Sequence, residues 1–331
     1  MILFSCGVSD KSYEYQLQGH TMGTQYHIRV PFGAENAIQN KILSQQQLQR
    51  EIDALLLSIN QEMSTYIENS TISLFNQSQT TNWFPVSKRF LDVIKTAQKI
   101  SRSSEGAFDI TVKPLVNLWG FGNNKKQRFP SKQQINSALD KTGYQFLQIQ
   151  TKPPAIRKQK IELSIDLSAI AKGYAVDAIA LLLQKHQFQH FLIEIGGEIR
   201  AQGQNKQYQP WRIAIEKPTT LYRSIQQGLK LSNSAIATSG DYRNFYEKEG
   251  KRYSHTIDPK TGRPITHQLA SVTVLNKYSM IADAQATAIM VLGGKKGKIY
   301  AQRENLQVYM IFREKDKFSV WHNLPINNFL K

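Results

Sequence analysis

The sequence predicts an α+β fold rather than a doubly wound parallel sheet. Candidate strands and helices interleave along the 331 residues without forming regular β-α-β units. No segment repeats with a fixed period, and no low-complexity linker divides the chain. We therefore expect a single domain over residues 11–331, built from two intertwined subdomains, with residues 1–10 outside it.

The N-terminal third is expected to contain strand followed by two helices. Residues 11–31 are predicted as strand because polar and apolar residues alternate through Gln25–Val30. A long amphipathic helix is expected over residues 36–63, where apolar side chains recur near helical spacing. A second helix begins after Ser87, a residue type suited to N-capping, and ends at Gly106.

The middle of the chain is predicted to contain a loop, two helices and a pair of strands. The glycines, aromatics and lysines of residues 117–130 indicate a surface loop, and a short helix follows over residues 131–143. Residues 144–165 are expected to form strands around the turn at Pro153–Pro154. The apolar pattern of residues 168–187 predicts a helix that faces the core.

The C-terminal part is predicted to hold short strands and one strong helix. Ser279 opens this helix, and Gly293 with Gly294 closes it. The chain then ends in a β-hairpin. The strands of this part are expected at Phe191–Ile195, at Trp211–Ile215, within residues 229–275, at Val308–Phe312 and at Phe318–Trp321.

The chain is strongly basic, with a formal net charge of +17 from 42 basic and 25 acidic side chains. Such an excess suits anionic partners. Nucleic acid is not favoured, because the basic residues are scattered and no zinc-finger spacing, basic helix or aromatic RNA-binding motif occurs. A generally basic surface with one phosphate site explains the charge better. No stretch approaches the roughly 18 apolar residues of a membrane-spanning helix.

The single cysteine, Cys6, excludes an internal disulfide and a cysteine-based zinc site. The residues Leu3–Gly7 resemble the lipobox of bacterial lipoproteins, in which an apolar and a small residue precede an acylated cysteine. The apolar stretch Met1–Phe4 is shorter than the roughly 7–15 residues of a signal-peptide core. Either residues 1–10 are the remnant of a longer lipoprotein signal, or the match arises by chance.

The last predicted helix carries a candidate metal site. Asp283 and Thr287 are four residues apart and therefore share one helical face. A carboxylate and a hydroxyl are hard oxygen donors, and the small alanines between them leave space for waters and substrate phosphates around Mg²⁺. Taken alone, the helix is explained better by a first-turn aspartate that favours the helix dipole.

A candidate anion site precedes the middle helix. Asp166 ends a strand, Ser168 is suited to cap the helix, and Lys172 lies one turn inside it. A helix N-terminus with an adjacent lysine binds anions readily. A surface lysine near a cap is nevertheless commonplace.

Two apolar side chains are candidates for contact with a planar ring. Met22 lies in a turn of small residues, and Tyr66 follows the long first helix. Aromatic stacking on a base contributes about 1–3 kcal/mol in nucleic-acid sites. Both residue types are more often ordinary core side chains.

Two polar side chains are candidates for binding or proton transfer. Asp109 is expected within an otherwise apolar strand over Gly106–Leu115, where ribityl or ribose hydroxyls, or backbone amides, would be its partners. His255 precedes an Asp-Pro turn and is of a type suited to proton transfer near neutral pH.

Eight blocks of the sequence together resemble the successive motifs of the ApbE family, the FAD:protein FMN transferases. They follow the family's order between about residue 17 and about residue 295. The blocks are Thr21–Thr24, Met63–Tyr66, Gly106–Val112, Asp166–Gly173, Ile195–Ile199, Ala237–Tyr242, His255–Pro259 and Asp283–Thr287.

The resemblance implies a bilobed α+β fold, with mixed or antiparallel sheets flanked by helices and one FAD between the lobes. It also implies a Mg²⁺ ion between the protein and the FAD pyrophosphate. The residues implied at FAD are Met22, Tyr66, Ala107, Phe108, Asp109, Asp166, Lys172 and Ile257. The residues implied at the metal are Asp283, Thr287, the backbone carbonyl of Ala169, and Ala286 beside them.

The function implied by the resemblance is transfer of the FMN moiety of FAD to a Thr or Ser hydroxyl of a flavoprotein subunit. A phosphoester bond forms and AMP is released. Lys172 is expected to add a positive contact to the pyrophosphate, and His255 is the candidate base for the acceptor hydroxyl. Two alternatives are an FAD pyrophosphatase that gives FMN and AMP, and a lipoprotein that binds FAD without catalysis.

The family's acceptors are subunits of membrane redox complexes, such as the Na⁺-pumping NADH:quinone reductase and Rnf complexes. Its members are commonly periplasmic lipoproteins. The resemblance therefore favours acylation of Cys6 and anchoring to the inner membrane, with the upstream part of the signal outside this sequence. No nucleic-acid partner is expected.

Overall fold

An antiparallel sheet of eight strands organises the part of the chain that the computed structural model describes, namely residues 12–33, 43–122, 129–219, 224–241, 245–248, 251–315 and 317–330. Its strands are β1 (Ser12–Thr21), β2 (Thr24–Gly33), β6 (Phe191–Ile195), β7 (Glu198–Gln202), β10 (Ser234–Gly240), β15 (Leu269–Asn276), β16 (Gln307–Arg313) and β17 (Phe318–His322). They lie side by side in the order β1-β2-β6-β7-β10-β15-β16-β17. The observed combination of helices with antiparallel sheets confirms the predicted α+β class.

Helices and four smaller sheets surround this sheet in the described residues. The helices are α1 (Gln45–Met63), α2 (Thr71–Gln77), α3 (Lys88–Ser103), α4 (Lys113–Leu118), α5 (Lys132–Leu139), α6 (Ala171–Lys185) and α7 (Ser279–Arg303). The smaller sheets pair β3 (Phe84–Pro85) and β4 (Leu147–Thr151) with β5 (Pro154–Lys158), β8 (Trp211–Glu216) with β9 (Ile225–Leu231), β11 (Phe245–Lys248) with β12 (Lys251–Ser254), and β13 (Ile257–Asp258) with β14 (Arg263–Pro264).

The large sheet is covered by different elements on its two faces. Helices α1, α6 and α7 contact the sheet and share the main hydrophobic core, into which β2 sends Tyr26, Ile28 and Val30. Burial of alternate residues along a strand is what a half-buried strand requires. A second core forms where Trp211 of β8 packs with Ile236 of the large sheet. The sheet is therefore the common wall of both cores.

The N-terminal strand region is a hairpin of two strands. Met22 and Gly23 form its turn, with φ angles of 50° and 73°, and all ten residue pairs from Ser12↔Gly33 to Thr21↔Thr24 are in register. Glycine tolerates positive φ without a steric cost. The prediction of strand over residues 11–31 is thus correct in type, but the turn divides it.

Serine caps mark two of the predicted helix starts in the structure. Ser87, predicted as a cap, accepts a hydrogen bond from the backbone amide of Phe90 at the start of α3. Ser131, the first residue of the predicted short helix, caps α5 in the same way. The long first helix begins at Gln45, after the capping box of Ser44. Residues 43 and 44, which the prediction places in this helix, are not helical. Residues 36–42 lie outside the described chain.

Two local predictions are wrong, and a third is correct except at its start. The strand expected around Asp109 is a 3₁₀ turn followed by α4, because the Asp109 carboxylate accepts from Thr111 N and Pro114 favours a helix start. Ser168 does not cap α6, since Ile170 is the cap residue and Ser168 Oγ donates to Asp166 instead. The loop expected over residues 117–130 is confirmed at residues 119–122 and 129–130, but residues 117 and 118 belong to α4, and residues 123–128 lie outside the described chain.

The helix that opens at Ser279 is interrupted at Gly293, as predicted, because the φ of 72° and ψ of −178° at this residue are not helical. A second helical segment, which the sequence did not indicate, follows the kink and extends α7 to Arg303. The predicted hairpin of β16 and β17 follows and is confirmed. Among the described residues, no helix is long and apolar enough to span a bilayer. Residues 1–10, including Cys6, lie outside the described chain, and the division at residue 11 stays a prediction.

Candidate active site

A cavity of about 810 Å³ lies where β6, β7 and β10 meet α6 and α7. The loops that follow α3 and β12 close its other sides. All but two of the predicted site residues line this cavity: Tyr66, Ala107, Phe108, Asp109, Asp166, Ala169, Lys172, His255, Ile257, Asp283 and Thr287. These residues come from sequence segments separated by up to about 220 positions, and the fold brings them to one place.

Met22 and Ala286 are the two predicted residues outside the cavity lining. Met22 occupies the β1–β2 turn and packs, half-buried, against the main core. Ala286 is fully buried on α7 and its side chain belongs to the same core. Their contacts with FAD and metal stay predictions.

The two predicted metal ligands of α7 both reach the cavity. Asp283 is buried, with 4% of its surface exposed, and its Oδ2 accepts a hydrogen bond of 3.1 Å from Gly173 N. Burial raises the pKa of Asp283, and the positive charge of Lys172 opposes that rise. Thr287 Oγ1 lies 3.1 Å from Ser239 Oγ on β10.

Lys172 forms an ion pair that the sequence did not indicate. Its Nζ lies 2.5 Å from Oε2 of Glu198, whose side chain is almost fully buried. Burial alone would lower the pKa of Lys172, but the neighbouring carboxylates of Glu198 and Asp283 raise it above its ordinary value. Lys172 is therefore a cation on the cavity wall at neutral pH.

Hydrogen bonds to the Asp166 side chain shape the segment between β5 and α6. Asp166 Oδ1 accepts from both the amide and the hydroxyl of Ser168, at 2.8 and 2.5 Å, which forms a tight local turn. Asp166 N in turn donates to Ile110 O at 2.7 Å. This turn holds Ala169 at the cavity, one residue before the helix cap.

Asp109 is already satisfied by protein groups. Its Oδ1 accepts from the amide and hydroxyl of Thr111, and its Oδ2 accepts from Tyr144 N at 2.9 Å. Burial raises the pKa of Asp109, and these hydrogen bonds oppose the rise. The sequence left sugar hydroxyls and backbone amides open as partners of Asp109. In the structure, two backbone amides and the Thr111 hydroxyl bind its carboxylate oxygens. Asp109 therefore shapes the loop whose residues Ala107 and Phe108 line the cavity.

His255 lies in the connection between β12 and β13. Ser254 Oγ accepts from Thr256 N at 3.1 Å and shapes this connection, and the ring of His255 meets Phe121 edge-on at 6.5 Å. The predicted Asp-Pro turn follows, in which Asp258 accepts from Lys260 N and Gly262 N. His255 and Ile257 are consequently held on the cavity wall opposite the large sheet.

A histidine–glutamate pair on the sheet also lines the cavity and was missed. His27 and Glu194 are cross-strand neighbours on β2 and β6, and His27 Nδ1 lies 2.9 Å from Glu194 Oε2. Glu194 Oε1 accepts from Gly197 N at 2.7 Å. Pairs of this kind depend on strand register, which the sequence does not specify.

The cavity wall is acidic although the chain as a whole is basic. Its described lining includes the side chains of Asp109, Asp166, Glu194, Glu198, Glu216 and Asp283, against the single lysine Lys172. Glu198 is paired with Lys172, and burial raises the pKa of Glu198 to about 8, so the other acidic side chains give the wall its negative charge. An anionic ligand entering here meets an unfavourable field unless a cation accompanies it. In the described residues, no cluster of three or more His, Cys, Asp or Glu side chains is placed to hold a metal alone.

Fold and cavity together define an α+β protein with a ligand site at the end of an antiparallel sheet, large enough for a dinucleotide-sized molecule. A model of the ApbE family matches residues 22–312, so the chain belongs to the ApbE family. The family predicted from the sequence motifs is thereby confirmed.

Individual relatives extend over nearly the whole chain. The FAD:protein FMN transferase of Vibrio cholerae serotype O1 is 42% identical over 330 residues, which cover 99% of this chain and 96% of that protein. The FAD:protein FMN transferase of Escherichia coli K12 is 40% identical, over 95% of this chain and 88% of that protein. The structure of flavin transferase ApbE from Vibrio cholerae superposes with a TM-score of 0.87 at 42% identity, covering 97% of this chain and 100% of the other.

Proposed function

We propose that this chain transfers the FMN moiety of FAD to a Thr or Ser hydroxyl on a target flavoprotein subunit and releases AMP. The names of its relatives, FAD:protein FMN transferases, support this function. The observation that carries it is the convergence of Lys172, His255, Asp283 and Thr287 on one cavity of about 810 Å³. Pockets for small molecules commonly measure about 300–1,000 Å³.

We infer that the site takes Mg²⁺ together with FAD. The donor set fits this ion, because the Asp283 carboxylate, the Thr287 hydroxyl and the Ala169 carbonyl are hard oxygen ligands on or beside the cavity wall. Mg²⁺ is usually held by one or two carboxylates and completes its octahedron with waters and phosphate oxygens. The acidic lining supports the same inference, since a diphosphate needs a counter-cation there.

In the transfer, the acceptor oxygen forms a bond to the phosphorus on the FMN side of the diphosphate. The bond from that phosphorus to the bridging oxygen breaks, and its electron pair leaves with AMP. His255 takes the proton of the acceptor hydroxyl, and Lys172 offers its charge to the diphosphate. When bound, Mg²⁺ would neutralise charge that develops on the bridging oxygen, which leaves with AMP.

The test is incubation of the protein with FAD, MgCl₂ and a Thr-containing acceptor peptide, followed by mass spectrometry and nucleotide chromatography. A peptide mass increase equal to the FMN phosphoryl group, with one AMP per peptide, is expected. Free FMN with AMP and an unmodified peptide would identify a pyrophosphatase. Intact FAD would identify a binding protein.

The acceptors and the location are proposed from the family resemblance. We propose that the acceptors are subunits of membrane redox complexes of the Na⁺-pumping NADH:quinone reductase or Rnf type. A lipid on Cys6 would hold the protein at the periplasmic side of the inner membrane, where such subunits are within reach. Labelling of cells with a palmitate analogue tests this, because a Cys6→Ser variant should lose both the label and the membrane association.

A further inference from the structure

The helix that carries Asp283 has no cap of its own. Tyr278, the residue before its first turn, makes no capping hydrogen bond with its side chain. Ser279 is fully buried, and in the described structure its Oγ has no hydrogen-bond partner. The first amides of a helix have no acceptor within the helix, so a buried helix start needs acceptors from elsewhere.

Asp177 of α6 supplies these acceptors from a different helix. Its Oδ1 accepts from Ser279 N at 3.1 Å and its Oδ2 accepts from Met280 N at 2.9 Å. Arg200 of β7 donates to the same carboxylate at 2.7 Å, and both side chains are buried. A buried carboxylate with a charged partner and two amide donors is a rigid anchor.

A second contact lies one helical turn away along both helices. Gly173, four residues before Asp177 on α6, donates its amide to Asp283 Oδ2, four residues after Ser279 on α7. A Cβ at Gly173 would lie 2.4 Å from Ser279 O, so the two helices touch at backbone level. Lys172 is the chain neighbour of Gly173, so this crossing also sets the distance between Lys172 and Asp283.

We propose that Asp177, held by Arg200, is a positioning residue that fixes the start of α7 and thereby places the Asp283 carboxylate for a divalent cation. Asp177 and Arg200 do not line the cavity, and they act through the helix rather than on the substrate. The metal part of this inference rests on the proposed function; the helix-seating part rests on the hydrogen bonds alone.

Binding of Mg²⁺ to the purified chain saturated with FAD, measured by isothermal titration calorimetry, tests the metal part, because phosphate oxygens complete the proposed site. Asp177→Ala is expected to weaken Mg²⁺ binding by roughly tenfold or more, as losses outside the ligand sphere commonly do. Asn323→Ala is the control, because the Asn323 side chain likewise ties two backbone groups, one amide and one carbonyl, but does not line the cavity. It should lower thermal stability and leave the Mg²⁺ affinity unchanged.

Wild-type affinity in Asp177→Ala, or an equal loss in Asn323→Ala, would overturn the positioning role. Hydrogen exchange of peptides that contain Gly173 and Ser279 gives a readout without metal or activity. Exchange of both segments should accelerate in Asp177→Ala, and unchanged exchange would also overturn the role. If the alanine variant does not fold, Asp177→Asn retains one acceptor oxygen, and the same two measurements then apply to it.

A wild-type chain that binds no Mg²⁺ in the presence of saturating FAD would contradict the metal assignment of the proposed function. The exchange experiment would still decide whether Asp177 seats the helix. The two failures are therefore distinguishable.

Discussion

The amide of Gly173 and the carboxylate of Asp283 are joined by a hydrogen bond of 3.1 Å, although 110 residues separate them in the chain. This bond brings the first turn of α6, with Lys172, against the first turns of α7. The cation and the carboxylate at the cavity therefore depend on one close crossing of two helices. Changes at this crossing and at the cavity wall lead to three predictions, and a buried histidine beside α7 leads to a fourth.

Replacement of Asp283 should remove metal-dependent turnover. In Asp283→Ala the only carboxylate among the proposed ligands is lost, and we expect the transfer rate to fall at least about a hundredfold. FAD should still bind measurably by flavin fluorescence, because the other cavity residues remain. Full activity of this variant would refute the metal assignment.

Replacement of His255 should slow the chemical step and spare binding. Loss of a general base typically costs about 10²–10⁴-fold in rate. We therefore expect His255→Ala to lower kcat in the peptide assay, while the Kd for FAD stays near the wild-type value. His27→Ala is the comparison variant, since His27 is the other histidine of the described cavity lining. An unchanged kcat in His255→Ala would assign the base to another residue.

A side chain at Gly173 should force the two helices apart. The added methyl group of Gly173→Ala would meet backbone atoms of Ser279 and Met280, which cannot rotate away. Overpacking of this kind costs about 1–3 kcal/mol, measured as a lower free energy of unfolding in urea. Gly33→Ala is the control, because nothing lies within 4 Å of the added atom there. Equal stability of the two variants would contradict the tight crossing.

The stability of the protein should decrease in mild acid through His267. Its Nε2 donates to Met290 O at 2.8 Å, one turn before the kink at Gly293, and its buried Nδ1 has no hydrogen-bond partner in the described structure. Burial lowers the pKa of His267 below its ordinary value of 6.5, while Met290 O and the charges of Asp241 and Asp258 oppose the shift.

The direction of the pH effect follows because the folded state prefers the neutral His267 ring. The stability that depends on this neutral ring is complete above the pKa of His267 in the unfolded state. It is lost as the pH falls from that value towards the pKa in the folded state. Urea denaturation between pH 7.5 and pH 5 should show the loss. His267→Gln keeps an N–H donor for Met290 O, so its stability should depend less on pH over this range. An identical pH dependence in both proteins would exclude His267 as the cause.

Much of the candidate site could be predicted because its residues occur in short blocks, in which residue type and spacing indicate the local structure and chemistry. Ser87 marks a helix start in the same local way, because its hydroxyl binds an amide three residues away, within the reach of one turn. Asp283 and Thr287 share a face because helical geometry repeats every few residues. The order of the blocks then indicated the family.

Local rules also produced errors. The apolar neighbours of Asp109 predict a strand, but its carboxylate ties the chain into a turn through Thr111, two residues away. This competing contact is itself local, and it outweighs the strand preference of the apolar residues. Gly293 interrupts the last helix as predicted, but the glycines do not indicate the helical segment that follows to Arg303.

The sequence by itself determined the family, the α+β class and the residue types of the cavity, since each depends on spacing within a short stretch. The tertiary structure alone decided which polar groups distant in the chain meet. The pairing of Lys172 with Glu198, the seating of Ser279 by Asp177 and the register that opposes His27 and Glu194 are examples. A buried charge needs a partner. Which residue of the chain becomes that partner is decided only when the strands pair and the helices pack.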